Sequence, residues 1–182
     1  TWVDHLGYAN LGRPPRAFNA GVGPGKLPPP FQLGATNFAV GGARASGDDV
    51  REELTLPGLM TQLGAYQGYL AQFGQTVDPD ALYIINFGNN DVTLLEELAG
   101  DPAAQAEVSN RFVSNMTNAA LFLANAGANN ILIAGVPNPL EPEGRALQAA
   151  LNAGLAAAAP SFGALGANVQ QFDYFRFFLG LQ

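Results

Sequence analysis

Apolar and polar positions along this chain alternate between two periods. From Leu82 to Phe87 the chain is apolar and β-rich, broken only by Asn86, and reads as a buried strand of a parallel sheet. Asn130 to Val136 reads the same way, and Asn168 to Phe172 is a weaker strand ending at Asp173. Residues 36–40 form a further short strand. Between these runs the period lengthens to that of a helix. Leu59, Leu63, Tyr66, Leu70 and Phe73 predict a helix over 57–74, with Pro57 in its first turn and Gly74 at its end. Helices are expected over 93–99, over 103–126 with Asp101 as cap and Pro102 at the first position, over 143–158, and over 174–182. Trp2, Val3 and Leu6 fall on one face of an opening helix over 1–8, and a Gly/Pro-rich loop follows over 9–35. Strands alternating with helices imply an α/β domain with a parallel sheet and right-handed crossovers. No internal repeat or linker divides the chain, so residues 1–182 are expected to belong to one domain.

The chain has 182 residues, enough for one sizeable core, and its 48% hydrophobic and 13% charged content argues against disorder. The net charge of −7, with no basic cluster, disfavours nucleic acid as a partner. There is no cysteine, which excludes thiolate zinc sites, thiol catalysis and disulfides. No run is long and apolar enough to span a membrane.

Candidate chemistry is sparse. His5 is the only histidine and lies far in sequence from every strand end, so a transition-metal site is not expected. Of the four serines, Ser109 and Ser114 fall mid-helix, and Ser161 follows a helix where a nucleophile elbow needs strand, turn and helix. Ser46 follows the Gly41-Gly42 turn and could touch a ligand, but has no histidine beside it to activate it. Asn115-Met116-Thr117 matches a glycosylation sequon inside the longest helix. Two strand-end elements remain, Gly41-Gly42-Ala43 and Gly88-Asn89-Asn90-Asp91. Each is either an ordinary turn or a source of hydrogen-bond donors at the carboxyl edge of the sheet. Backbone N–H groups and an Asn amide aimed together would make an oxyanion hole.

Those two elements carry a family resemblance. Asn37-Phe38-Ala39-Val40-Gly41-Gly42-Ala43 resembles the second block of the GDSL ester hydrolases, also called SGNH hydrolases, and Gly88-Asn89-Asn90-Asp91 resembles their third. Asn130-Ile131-Leu132-Ile133 followed by Val136-Pro137 is similar to their fourth strand, and Thr1 to Leu6 to the helix after their nucleophile block. The resemblance implies a three-layer flavodoxin-like sheet and an esterase or lipase that works by acyl transfer on an ester or lipid substrate, without cofactor or metal. It implies oxyanion donors at the Gly42 N–H and the Asn90 side chain. Gly41, Ser46, Asn89 and Pro137 would line the substrate side, while Asn37 and Asp91 would hold the loops. Family habit, with the lack of cysteine, favours a secreted or cell-surface location.

The departures are as specific as the matches. The family's Gly-Asp-Ser-Leu block and its Asp-x-x-His block are both absent. The nucleophile, the base and the first strand are therefore expected to be missing, as in a fragment, and this chain alone is expected to be inactive. In the family that strand lies between the strands placed here at 36–40 and 82–87. Its loss should leave a gap one strand wide, or let the sheet close up and lose the oxyanion geometry. The alternative function is a degenerate, non-catalytic binding module.

Overall fold

Three parallel strands, β3 (Leu82–Asn86), β4 (Asn130–Ala134) and β5 (Asn168–Phe172), set the frame, in the computed structural model, in the order β3-β4-β5. The structure describes residues 37–52, 54–136 and 141–179. The expected opening helix, the loop over 9–35, His5 and Pro137 lie outside the described residues. Leu82, Asn130 and Asn168 are in register, as are Asn86, Ala134 and Phe172, so all three strands end on one edge.

Two long helices cover this sheet. In α3 (Pro102–Asn125) the residues Phe112, Met116, Ala119 and Leu123 recur at helical spacing, are buried, and pack in one cluster with Ile131 and Ile133 of β4. Asp101 caps the helix through the Ala104 N–H at 3.0 Å, and Pro102 opens it. Leu147, Leu151 and Leu155 of α4 (Pro142–Ala164) complete that cluster. This helix runs past the expected stop at 158 and through Pro160. Pro160 removes one helical hydrogen bond, but Phe162 beyond it is buried in the core, which offsets the loss. Helix α5 (Tyr174–Leu179) follows β5.

The amino-terminal part departs from expectation. Residues 37–40 carry only an isolated bridge at Asn37, not a strand. The Asn37 Oδ1 accepts the Ala39 N–H at 3.0 Å, a local turn that competes with strand pairing. The next pairing is an antiparallel ribbon, β1 (Asp49–Arg51) with β2 (Leu54–Leu56), which no alternation in the sequence announced. It leads into α1 (Leu59–Gln72), close to the expected helix.

Helix α1 meets β3 through aromatic rings. Phe38 packs edge-on against Tyr66 and Tyr69, and the Tyr66 hydroxyl lies 3.2 Å from that of Tyr83. The Tyr83 hydroxyl accepts the Asp78 N–H and donates to the Asp78 carbonyl. Tyr66 is left to donate to Tyr83. Burial first, then that hydrogen bond, raises the Tyr66 hydroxyl above its ordinary pKa of 10.0. A raised pKa in the folded state means stability that is intact below pH 10.0 and lost as the pH climbs beyond it. Chemical denaturation from about pH 9 to about pH 11 should show this loss, and Tyr66→Phe should flatten it.

Candidate functional site

The residues leaving β3 turn at once into a helix. Gly88 has φ +128°, a conformation that side chains with a Cβ rarely adopt, and it serves as the cap of α2 (Asn89–Glu97). The helix thus begins within the Gly-Asn-Asn-Asp element itself, four residues earlier than the 93–99 expected from periodicity. The cause is local. Gly88 permits the turn, the Val92 N–H bonds the Gly88 carbonyl at 2.9 Å, and Asp91 places negative charge in the first turn.

Asp91 is fully buried, and its two oxygens accept the backbone N–H groups of Ala45 at 3.0 Å and Ser46 at 2.8 Å. The neighbouring Asn90 donates from Nδ2 to the Ala43 carbonyl at 3.0 Å. Asn115, from the middle of α3, donates from Nδ2 to the Ala45 carbonyl at 2.7 Å. The Arg44 carbonyl accepts the Leu59 N–H at the start of α1. Residues 43–46 are therefore held by three elements, which meet the Ala43, Arg44 and Ala45 carbonyls and the Ala45 and Ser46 N–H groups rather than leaving them buried and unpaired.

Gly42 is the residue just before this clamped segment. Its φ of +81° is in the region that favours glycine, and a Cβ there would lie 2.9 Å from Leu56 Cδ1. Among the described residues none accepts the Gly42 N–H. A cleft of about 240 Å³ separates residues 39–43 from residues 86–90. Gly41 and Gly42 lie on one wall, and Asn89 and Asn90 on the other. An Asn amide carries two hydrogens, so Asn90 can bond Ala43 and still present one to a ligand. The start of α2 adds the positive end of a helix dipole to the same cleft.

The structure therefore brings together four of the residues singled out in the sequence, Gly41, Gly42, Asn89 and Asn90. Asp91 sits directly behind them. Ser46 is buried and bound through its N–H to Asp91, and does not line the cleft. Asn37 shapes the local turn before it. Ser109 and Ser114 lie on α3 and Ser161 on α4. Asn115 was not legible as part of the site. Its side chain is engaged within the fold, and the only hint was a polar residue in an otherwise apolar stripe, beside Met116.

A family model for GDSL-like lipases and acylhydrolases matches residues 2–180. The chain belongs to that family. A search of curated proteins finds no match to it. Membership assigns this GDSL-family chain to the ester-hydrolase class and to ester or lipid substrates. No helix among the described residues is long and apolar enough to cross a membrane, and no group of metal-ligating side chains gathers among them.

Proposed function

We propose that the cleft is the oxyanion half of an ester-hydrolase site, in which the Gly42 N–H and the Asn90 Nδ2 stabilise the charge that forms as an acyl carbonyl is attacked. One observation carries the reading. Gly42 and Asn90 line one cleft, and the Asn90–Ala43 hydrogen bond ties the Asn90 amide to the residue next to Gly42. Donors set before the reaction need no reorganisation as charge develops, which is where such sites gain most. Gly41 and Asn89 border the acyl carbon, and Asp91 positions both walls without reacting.

The nucleophile and base come, in this reading, from polypeptide outside these 182 residues. Support comes from the serine positions, since none of the four lines the cleft. Support comes also from β3. It reads from its sequence as a central strand, yet among the described residues it pairs only with β4 and stands at the edge of the sheet. The 182-residue chain should then hydrolyse p-nitrophenyl acetate no faster than buffer. Turnover that disappears in Asn90→Ala would overturn this part of the proposal. In a chain extended to carry the serine and histidine, Asn90→Ala should lower kcat by about 10²–10³-fold.

A second reading, a binding module without chemistry, is favoured by the way residues 43–46 are clamped by hydrogen bonds within the fold. A pocket preformed in this way needs the chain to be stable alone. Cooperative thermal unfolding of the 182-residue chain supports it, and an aggregating or molten chain removes it.

A further inference from the structure

The cleft is not closed at Asn90. A second cavity of about 320 Å³ opens from it, sharing Gly42 and Asn90 and lined further by Arg44, Asp49, Thr93, Leu94 and Glu97. Its origin lies in helix geometry. Asn90, Thr93, Leu94 and Glu97 are spaced i, i+3, i+4 and i+7, one face of α2, while Asp91, Val92 and Leu95 bury the opposite face. The groove therefore starts at the oxyanion donor and runs along the helix away from it. Its other wall is Gly42, Arg44 and, from β1, Asp49.

The lining differs in kind from an acyl-chain pocket. Arg44 and Asp49 form an ion pair at 2.6 Å, with each side chain 16% exposed. Thr93 and Glu97 are exposed, and among the described residues Leu94 is the single large apolar residue of the wall. An alkyl chain laid here would cover charged groups without apolar partners, and loses more by desolvating them than it gains by leaving water. An anionic group is disfavoured too, because Asp49 and Glu97 outnumber Arg44. A quaternary ammonium group would want an aromatic wall, and the described residues of the lining include none. A neutral group rich in hydroxyls suits all the observations. Its hydroxyls can donate to Glu97, to Asp49 and to the Thr93 oxygen, whose own hydrogen goes to the Asn89 carbonyl, and can accept from Arg44.

We propose that this groove is the subsite for a neutral, polyhydroxylated part of the substrate, so that the ester the site takes has a sugar-like alcohol rather than a lipid one. The inference rests on the oxyanion reading of Gly42 and Asn90 given above.

The test is an amide-resolved NMR titration of the 182-residue chain with three probes, ethyl acetate, ethyl hexanoate and 6-O-acetylglucose. The acetylated sugar should shift Gly42 and Asn90 together with Asp49, Thr93 and Glu97, and bind about tenfold tighter than ethyl acetate. Thr93→Ala and Glu97→Ala, both at exposed helix positions, should each remove most of that advantage and leave ethyl acetate binding unchanged. Equal affinities for the sugar ester and ethyl acetate, with shifts confined to 39–43 and 86–90, would overturn the subsite and leave the oxyanion reading intact. Ethyl hexanoate as the tightest binder, shifting Thr93 and Glu97, would overturn the subsite in favour of a lipid. No shift at Gly42 or Asn90 with any probe would remove the oxyanion reading, and the subsite with it.

Discussion

Replacing Asp91 with alanine should lower the melting temperature of this chain by roughly 10 °C and disorder the segment that carries Gly42. The carboxylate is fully buried and accepts two N–H groups, from Ala45 and Ser46. Alanine would strand both donors in the interior, at about 1–3 kcal/mol each. For a chain of this size about 2–4 °C is lost per kcal/mol. An opposing effect must be weighed, since burying a charge is itself unfavourable and its removal relieves that burden. Two points decide against a net gain. The charge accepts two short hydrogen bonds, and it sits in the first turn of α2 where the dipole favours it. Asp91→Asn separates the contributions. The remaining oxygen can serve one donor, but the new amide group meets the other donor to donor, so the drop should be smaller than for alanine but clear. Differential scanning calorimetry reads both. A melting temperature for Asp91→Ala within about 2 °C of the parent would show that the clamp on residues 43–46 is not what holds them.

The same residue shows how far the sequence could be read. The alternation of strand and helix was plain, and β3, β4, β5 and the helices α1 and α3 stand within a few residues of where periodicity puts them. The parts that escaped are those decided by side chain to backbone hydrogen bonds. Asn37 folds back on Ala39 and dissolves an expected strand. Gly88 and Asp91 start α2 early, within a stretch that composition reads as a turn. Asp48, which accepts the Gly58 N–H and the Thr61 hydroxyl, seats α1 after a ribbon that no apolar alternation marks. For the site, the two strand-end elements were legible from their positions, and the choice of Gly42 and Asn90 within them came from family resemblance. Neither residue type announces a role, and the pairing depends on 47 intervening positions folding back, as the Asn90–Ala43 bond shows. Asn115 could not be assigned to the site, because its partner is a backbone carbonyl 70 positions away. Arg44, Asp49, Thr93 and Glu97 belong to the same class. They read as surface charge and polarity, and only the face that α2 presents beside Asn90 gathers them into a groove.

Close backbone approach makes one more demand that sequence does not reveal, and it gives the sharpest paired test of the fold. Gly58 caps α1 where that helix meets the clamped segment. A Cβ at Gly58 would stand 2.6 Å from the Gly47 carbonyl oxygen, 2.7 Å from its carbon and 2.8 Å from the Arg44 carbonyl oxygen. All three are backbone atoms, so no rotamer change can clear them. Gly58→Ala should push α1 away from residues 44–47 and break the Leu59 N–H to Arg44 carbonyl bond, now 3.1 Å. The expected loss is about 3 kcal/mol, combining overpacking with that bond. Gly64, in the same helix, has nothing within 4 Å of a Cβ. There the identical substitution relieves only the poor helix propensity of glycine, and Gly64→Ala should stabilise by about 0.5–1 kcal/mol. Urea denaturation of the two variants should thus move the midpoint in opposite directions from one chemical change. Because the segment that Gly58 supports also carries Gly42, Gly58→Ala should in addition shift the amide resonances of Gly42 and Asn90, whereas Gly64→Ala should leave them in place. Two midpoints that move together would mean that α1 does not press on the 44–47 backbone, and that the wall bearing Gly42 is held by Asp91, Asn90 and Asn115 alone.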